Sequence, residues 1–444
     1  MRRLPHVRPV ETFLAEPAVD LLSIAGPHGS SVFVVPLRRE ASAGVTEEWH
    51  VGPLPVVQAV NETASQRRHA RITDSGARRT LVARQQADVL YGVTGFRRYW
   101  KAVEFDPSDE ADFALVALEI FVGVEEDPTT AEVGFAVVHA VAQAEDLDGH
   151  VDASARTSYG VGPSGTGLWA RVAAELPDRS RLAPDAKVRT LTYAGVDDLP
   201  GSVVDPLQVA YAFVAGISAL SDDTASRSAH HALTIERPDW SCLALRDGAA
   251  FVAHQTSGER FADVLRVLVH TVHVDGLLLA LTQRVLVDRI GEQAVEASLD
   301  APTDLVALER THFDFRRSYW RTCLTDKRSA PPDLVFRALQ HELLTGDDVA
   351  EVQQRIEDGA RLATSLHAEA QGRSHRRLNR TVQSATAVIG AFGLSFAAAP
   401  VLSEPSAALF AAALGFGSLA TAAAFGALAV VRRHSERAEG GPSI

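Results

Sequence analysis

The spacing of charged and apolar positions divides the chain into two unequal parts. Before residue 381, no uncharged run reaches 20 residues. Beyond it, residues 381–403 and 405–431 form uncharged runs of 23 and 27 residues, separated only by Glu404. Each run exceeds the roughly 20 apolar residues that a helix needs to cross a bilayer. The pattern therefore predicts a transmembrane helical hairpin over 381–431; a helical hairpin buried in a soluble core is the alternative.

The basic residues that flank this hairpin predict its orientation. Four arginines precede the first run and three follow the second, whereas the connecting turn has no cation: Arg373, Arg376, Arg377, Arg380, Arg432, Arg433 and Arg437. Cations accumulate on the cytoplasmic side of a membrane, so we expect both chain ends in the cytoplasm and a multi-pass protein of the inner or plasma membrane. The first 20 residues contain no apolar stretch typical of a signal peptide, which agrees with a cytoplasmic body.

The first run has a polar and small-residue stripe at helical spacing. Its members are Gln383, Thr386, Gly390 and Gly393. Polar groups in lipid turn toward protein or water, because an unpaired amide in hydrocarbon is costly. The stripe therefore lines a pore or packs on a neighbouring helix, and the sequence leaves both open. In the second run, Ser418, Ala422 and Gly426 lie four residues apart, which favours close helix packing.

Residues 256–380 are predicted to form a region of long helices. The segment 258–298 is strongly apolar but contains Asp263, Arg266, Asp275 and Arg284, so we expect a core or interface helix and not a third span. Residues 332–380 predict a helical stalk, interrupted at Thr345–Asp348 and leading toward the first span.

The outer end of the first run has residues that resemble a family motif. Gly393-Leu394-Ser395-Phe396 is followed by Pro400 and then by Glu404 in the turn. Together with the two closely spaced spans and the basic tail 432–444, these residues resemble the CorA-like (two-TM-GxN) metal-ion transporter superfamily, which has Gly-Met-Asn at this position. Segment 273–284 is also similar to helices upstream in that family, and the likeness in organisation covers about residues 240–435.

The resemblance implies a homopentamer around a central pore and a divalent cation such as Mg²⁺ as the transported ion. Ser395 replaces the asparagine whose amide carbonyl holds the hydrated ion, so magnesium selectivity does not follow. A ring of Glu404 at the mouth is one way to attract cations, and an ordinary solvated acid is the alternative. Regulatory divalent sites of the family have a possible counterpart in an acidic group that a solvated helix start also explains: Asp347, Asp348, Glu351 and Asp358.

Residues 1–255 alternate strand-like and helix-like segments, which predicts an α/β or α+β cytoplasmic domain. Predicted strands are Ser30–Leu37, Phe113–Val122, Val188–Ala194 and Leu233–Ile235, and predicted helices are Val133–Ala144 and Leu207–Leu220. The string Gly160–Gly165 matches GxGxxG, but a poor strand precedes it and Pro163 interrupts it. We therefore expect a flexible loop there, with a phosphate-binding turn as the alternative.

Composition and motifs exclude several functional classes. The net charge of −13 argues against a nucleic-acid surface over the whole protein, and two cysteines are too few for a disulfide framework. Adjacent His230 and His231 point apart, whereas His270 and His273 share one face of an apolar helix, where packing is more common than metal ligation. The chain lacks HExxH and GxSxG, so we expect no enzyme.

Two functions fit these observations. The first is an oligomeric cation channel or transporter that the cytoplasmic domain gates. The second is a membrane-anchored sensor or effector whose domain 1–255 binds an unidentified ligand or partner and which transports no metal ion. The polar stripe favours the first, whereas Ser395 and the large body favour the second.

Overall fold

The computed structural model describes most of residues 29–358 and short segments after them. The described ranges are 29–39, 48–55, 81–91, 95–104, 112–127, 129–144, 146–159, 167–177, 180–183, 187–195, 206–215, 234–254, 258–296, 302–326, 330–344, 349–358, 361, 365, 375–376 and 378–384. By its internal contacts the chain separates into two units, Met1–Glu357 and Asp358–Ile444. Apart from positions 381–384, the predicted hairpin and the tail 432–444 lie outside the described residues.

A mixed sheet forms the centre of the first unit. The described strands are β1 (Ser30–Arg39), β2 (His50–Val51), β3 (Phe96–Ala102), β4 (Phe113–Gly123), β5 (Gly134–Ala142), β6 (Ser180–Leu182), β7 (Arg189–Gly195), β8 (Thr234–Glu236), β9 (Trp240–Leu245) and β10 (Gly248–Ala253). Their order is β2-β3-β4-β5-β1-β7-β10-β9-β8, and β6 pairs with the end of β1. Neighbours are antiparallel except β7 and β10, which are parallel and need a crossover connection.

Helices cover both faces of this sheet. They are α1 (Arg84–Leu90), α2 (Leu147–Tyr159), α3 (Leu168–Glu175), α4 (Pro206–Ala215), α5 (Gly258–Leu268), α6 (Val274–Glu296), α7 (Pro302–Ser318) and α8 (Pro331–Leu343), followed by helical residues 349–358. A five-residue π-turn, Val269–His273, joins α5 to α6 into one continuous element, called the long helix below. The mixed α/β fold predicted from the sequence is therefore confirmed as three layers, helix on sheet on helix.

The two faces of the sheet build separate cores. Under the long helix, one face contributes Val32, Phe121 and Phe251 to a core shared with α1, α7 and α8. On the opposite face, Phe33 contacts Trp169 of α3 edge to face, with ring centroids 5.9 Å apart. Further along this face, α2 and α4 pack on β7, β9 and β10. Burial on both faces explains why β4 and β5 are apolar without alternation.

The long helix meets the length and composition of a membrane span but lies inside this fold. Among the described residues, one helix, Phe261–Val295, is long and apolar enough to cross a membrane, and 83% of its most apolar 18-residue window is buried. Leu277, Leu278 and Leu279 are fully buried in the core with the sheet. The prediction of a core helix over 258–298 agrees with this packing.

Four predicted strands are confirmed, and one predicted helix is wrong. The segment predicted as helical, Val133–Ala144, forms strand β5, Gly134–Ala142, which pairs with β1 and β4. A short apolar run that is buried on both faces has no period that separates strand from helix, so only its pairing decides. The helix predicted at Leu207–Leu220 begins at Pro206 and is described to Ala215.

The stalk is described only in pieces. Helix α8 and helical residues 349–358 agree with the predicted helices on either side of the break at 345–348, which itself lies outside the described residues. In the second unit, residues 378–384 are helical, and positions 381–384 are exposed.

Candidate functional site

A diagonal row of polar side chains crosses four neighbouring strands on the face under the long helix. Its members are Arg98 on β3, Glu119 on β4, His139 on β5 and Ser30 on β1. Glu119 lies opposite Trp100, two residues from Arg98, and His139 lies opposite Ala117, two residues from Glu119. Because side chains alternate between faces, a two-residue offset keeps all of them on one face.

The π-turn brings the long helix into register with this row. His270 and Asp275 are five residues apart and both reach the sheet. In an α-helix of 3.6 residues per turn, positions five apart point in different directions. The i to i+5 hydrogen bonding of a π-turn brings such positions closer to one face, and π-turns often occur at functional sites.

Together these side chains form one hydrogen-bonded series, called the buried polar chain below. Its members are Tyr91, Asp275, Arg98, Glu119, His139, His270 and Ser30. Tyr91 Oη donates to Asp275 Oδ2 over 2.7 Å, Arg98 Nη1 donates to Asp275 Oδ1 over 2.6 Å, and Arg98 Nε donates to Glu119 Oε2 over 2.5 Å. Glu119 also accepts a hydrogen bond from the Leu54 amide at 3.1 Å.

The histidine half of the chain depends on shared protons. His139 Nε2 lies 2.8 Å from Glu119 Oε1, and His270 Nε2 lies 2.8 Å from Ser30 Oγ. Between the rings, His139 Nδ1 lies 3.0 Å from His270 Nδ1. Of these two facing nitrogens, one must donate and the other must accept, because an imidazole nitrogen without a proton cannot donate.

Burial and charge together determine the protonation of these groups. Burial opposes the charge of Arg98, but Glu119 and Asp275 raise the pKa of its guanidinium above the ordinary value. Burial lowers the pKa of His270 well below its ordinary value; positive charge at His139 and Arg266 lowers it further, whereas Glu119 raises it. The preferred state of His270 is therefore the neutral ring.

The buried polar chain is closed to solvent along almost its whole length. The side chains of Arg98, Glu119, His139 and Asp275 are fully buried. No described residue accepts a hydrogen bond from Nη2 of Arg98. Breaking such an ion pair from one side is strongly destabilising, since it leaves a buried charge without its partner. The arrangement can hold sheet and helix in one register and store a proton.

His273 occupies the same π-turn but has a different role. Its ring packs on Phe251 with centroids 4.5 Å apart, and no described residue pairs with its Nδ1. Burial lowers the pKa of His273 to about 3. The expectation of packing therefore holds for His273, whereas His270 is a hydrogen-bonding member of the polar chain.

Two of the four members of the predicted acidic group, Glu351 and Asp358, are among the described residues. Glu351 pairs with Arg355 over 2.5 Å, and Asp358 lies 3.8 Å from Arg361. Asp347 and Asp348 lie outside the described residues. Where side chains are described, no group of three or more His, Cys, Asp or Glu is placed to hold a metal ion.

Of the predicted pore residues, Gln383 lies within the described part of the chain. Gln383 is exposed on the helical segment 378–384. The remaining pore, motif and mouth positions lie outside the described residues: Thr386, Gly390, Gly393, Leu394, Ser395 and Glu404. Their roles stay predictions.

The glycine-rich string lacks the context of a phosphate-binding turn. Helix α2, Leu147–Tyr159, precedes it where the dinucleotide motif requires a strand. After it, Gly167 adopts a positive φ of 71° and precedes α3. Residues 160–166 themselves lie outside the described residues, as do His230 and His231.

Comparison with protein-family models, curated proteins and solved structures found no match.

Sequence reasoning missed the buried polar chain, although the strands contain a signal for it. Glu119 is the only charged residue in the strand FALVALEIFVG, and His139 is the only polar residue in GFAVVHAVA. A lone ionisable group inside a fully buried strand needs a partner. The partner could not be named, because it lies on another strand or on the helix above.

Proposed function

We propose that the protein is an oligomeric cation channel or transporter of CorA-like architecture, with a cytoplasmic α/β body that gates a C-terminal transmembrane hairpin. In this proposal the hairpin crosses the inner or plasma membrane twice and both termini are cytoplasmic. By the family resemblance the assembly is a pentamer, and the ion is a divalent cation such as Mg²⁺.

One observation supports this function most. Residues 381–384, at the start of the first uncharged run, are already helical, and the side chain of Gln383 is exposed there. A helix that continues from these residues through the run has the length of a span. It would present Gln383, Thr386, Gly390 and Gly393 along one side, where a subunit ring could surround water.

Cation flux into proteoliposomes tests the pore. We expect the wild type to conduct, and Gln383→Leu and Thr386→Leu to reduce flux by about tenfold or more, because they replace groups that can contact a hydrated ion. Val388→Leu, on the opposite side of the same predicted helix, is the matched control and should leave flux within about twofold. Equal flux in all four proteins would remove the pore assignment.

Anchoring and assembly need separate measurements. We expect the full chain to sediment with membranes and a chain ending before Arg373 not to do so. Size analysis in detergent should give five copies. A truncated chain that still sediments with membranes would contradict the assignment of 381–431 as the anchor.

The second candidate function is a membrane-anchored sensor or effector. Ser395 in place of the family's asparagine favours it, because a hydroxyl is a shorter and weaker ligand for an ion's hydration shell than an amide carbonyl. Full membrane association without Mg²⁺ or K⁺ flux in the wild type would support this candidate and exclude the channel.

A further inference from the structure

We propose that the His139–His270 pair is an acid-sensitive latch that holds the π-turn of the long helix against the sheet. The two Nδ1 atoms face each other at 3.0 Å, with ring centroids 5.3 Å apart. This contact works only while one proton lies between the two nitrogens. The inference concerns the core of the body and does not depend on transport.

The latch tolerates one positive charge but not two. With both rings neutral, His270 Nδ1–H donates to His139. With His139 protonated, His139 Nδ1–H donates to His270, whose Nε2–H then donates to Ser30 Oγ. Protonation of both rings places two N–H donors and two cations against each other without an acceptor between them. The rings must then separate.

The charged groups that act on His270 are His139 and Glu119 on the sheet and Arg266 on its own helix. Titratable and charged groups are also present on the other elements packed against the π-turn: Tyr193 on β7, Asp333 and Arg337 on α8, and His273 and Asp275 on the long helix itself. Asp333 accepts from the amides of Leu324 and Thr325, and it pairs with Arg337. Arg266 lies over the Tyr193 ring at 5.1 Å and adds positive charge, so the surroundings resist a second proton until the pH is acidic.

Release of His270 has a defined structural consequence. On the C-terminal side of the π-turn, Asp275 stays bound to Arg98 and Tyr91. On the N-terminal side, α5 and the π-turn lose the contact between His270 and His139. This contact is what favours the wider i to i+5 hydrogen bonding of the π-turn over α-helical spacing. Residues 258–273 can then return to α-helical spacing by a rotation of about 100° and a shift of about 1.5 Å. We therefore expect acid to open α5 and the π-turn while α6 stays in place.

Hydrogen exchange of the full chain, at about pH 7.5 and about pH 5, tests the latch. After correction for the intrinsic pH dependence, exchange in peptides from 258–273 should rise about tenfold in acid, and peptides from 274–296 should change by less than about twofold. In the wild type, a uniform rise of exchange in both segments, or no rise in 258–273, would by itself overturn the proposal.

Two variants and one control separate the latch from general acid unfolding. His273→Leu removes a buried histidine of the same turn that is outside the pair, so it should reduce the rise by its own share of proton uptake and leave the remainder. In the His273→Leu background, His270→Asn and His139→Asn each replace one Nδ1 by a non-titrating amide, so either variant that folds should lose the remaining rise. Persistence of that remainder in the asparagine variants, or its absence from His273→Leu alone, would refute the proposal.

Discussion

The two faces of the central sheet use the same strands but are held in different ways. On the face of α3, Phe33 packs edge to face on Phe113 and Trp169, and the buried polar contacts are isolated hydrogen bonds such as that between Ser31 Oγ and Thr192 Oγ1 at 3.1 Å. On the face of the long helix, the neighbouring Val32 and Val34 also pack in an apolar core, but the buried polar chain crosses it. Alternate residues of one strand therefore enter two chemically different environments.

This difference shows what each face contributes. Apolar packing is non-directional, so it stabilises α3 without requiring one exact position. The polar chain is directional, because each donor must meet its acceptor, and it costs free energy wherever a partner is missing. We infer that the apolar face supplies stability, whereas the polar face determines the register of the long helix.

Removal of Arg98, the central cation of the buried polar chain, should have the largest effect on the free energy of unfolding. Arg98→Met leaves Glu119 and Asp275 as buried carboxylates without their shared guanidinium, and we expect a loss of about 4 to 5 kcal/mol in the free energy of unfolding. Urea unfolding followed by tryptophan fluorescence measures this loss, since all five tryptophans lie in the first unit, Met1–Glu357.

A matched triple variant tests whether charge imbalance is the cause. Arg98→Met combined with Glu119→Gln and Asp275→Asn removes all three charges, and it should recover more than half of the loss. If the triple variant is less stable than Arg98→Met alone, the geometry of the chain rather than its charge balance is decisive.

On the opposite face, the largest effect should come from loss of volume. Phe33→Ala removes a fully buried ring that contacts two other aromatic rings, and we expect a loss of about 3 to 4 kcal/mol. The loss should be the same at neutral and acidic pH, because neither of the two rings that Phe33 contacts titrates. A strongly pH-dependent loss would show that the two faces are coupled.

His273 should contribute to the pH dependence of stability. Its pKa of about 3 in the fold lies below its ordinary 6.5, so the unfolded chain binds the extra proton between these values. Stability is then fully present above about pH 6.5 and is lost as the pH falls, at up to about 1.4 kcal/mol per pH unit. His273→Leu should reduce the slope of unfolding free energy against pH by about this amount.

The control for this slope is an exposed histidine. His341 has a side chain that is 74% exposed, and His341→Gln should leave the slope unchanged. If His273→Leu keeps the wild-type slope, proton uptake by this ring does not contribute to acid sensitivity.

The smallest effect should come from an apolar residue that belongs to neither face. Phe313 is 62% exposed on α7, and Phe313→Ala should change the free energy of unfolding by no more than about 0.5 kcal/mol. A loss above about 1 kcal/mol in the full chain would indicate that this ring is covered by a partner, which size analysis of the variant would then check.

Much of the architecture could be predicted from local pattern. The strands at Ser30–Arg39 and Phe113–Gly123 are rich in β-branched and aromatic residues, and the helix at 258–296 is long and apolar but contains charged residues, which favours a core helix. Strand β5 could not be predicted, because an apolar run buried on both faces looks the same as a buried helix. Its pairing with β1 and β4 decides its conformation.

The polar chain shows where local pattern ends. Arg98, Glu119 and His139 lie 20 or more residues apart in sequence, and His270 is 131 residues from His139. Glu119 and His139 are each the one ionisable residue of an apolar strand, which indicates that a buried partner exists but not which residue it is, whereas Arg98 stands among other cations in FRRYWKA. The π-turn, which allows His270 and Asp275 to reach the sheet together, has no signature in the residues themselves.

The amino-acid sequence by itself determined the mixed α/β class of this protein, because burial of an apolar face is a local property of spacing and composition. Charge and hydropathy also predict a membrane hairpin beyond residue 380. Only the tertiary structure decided which buried charges meet, because hydrogen bonds and ion pairs depend on distances between segments that are remote along the chain.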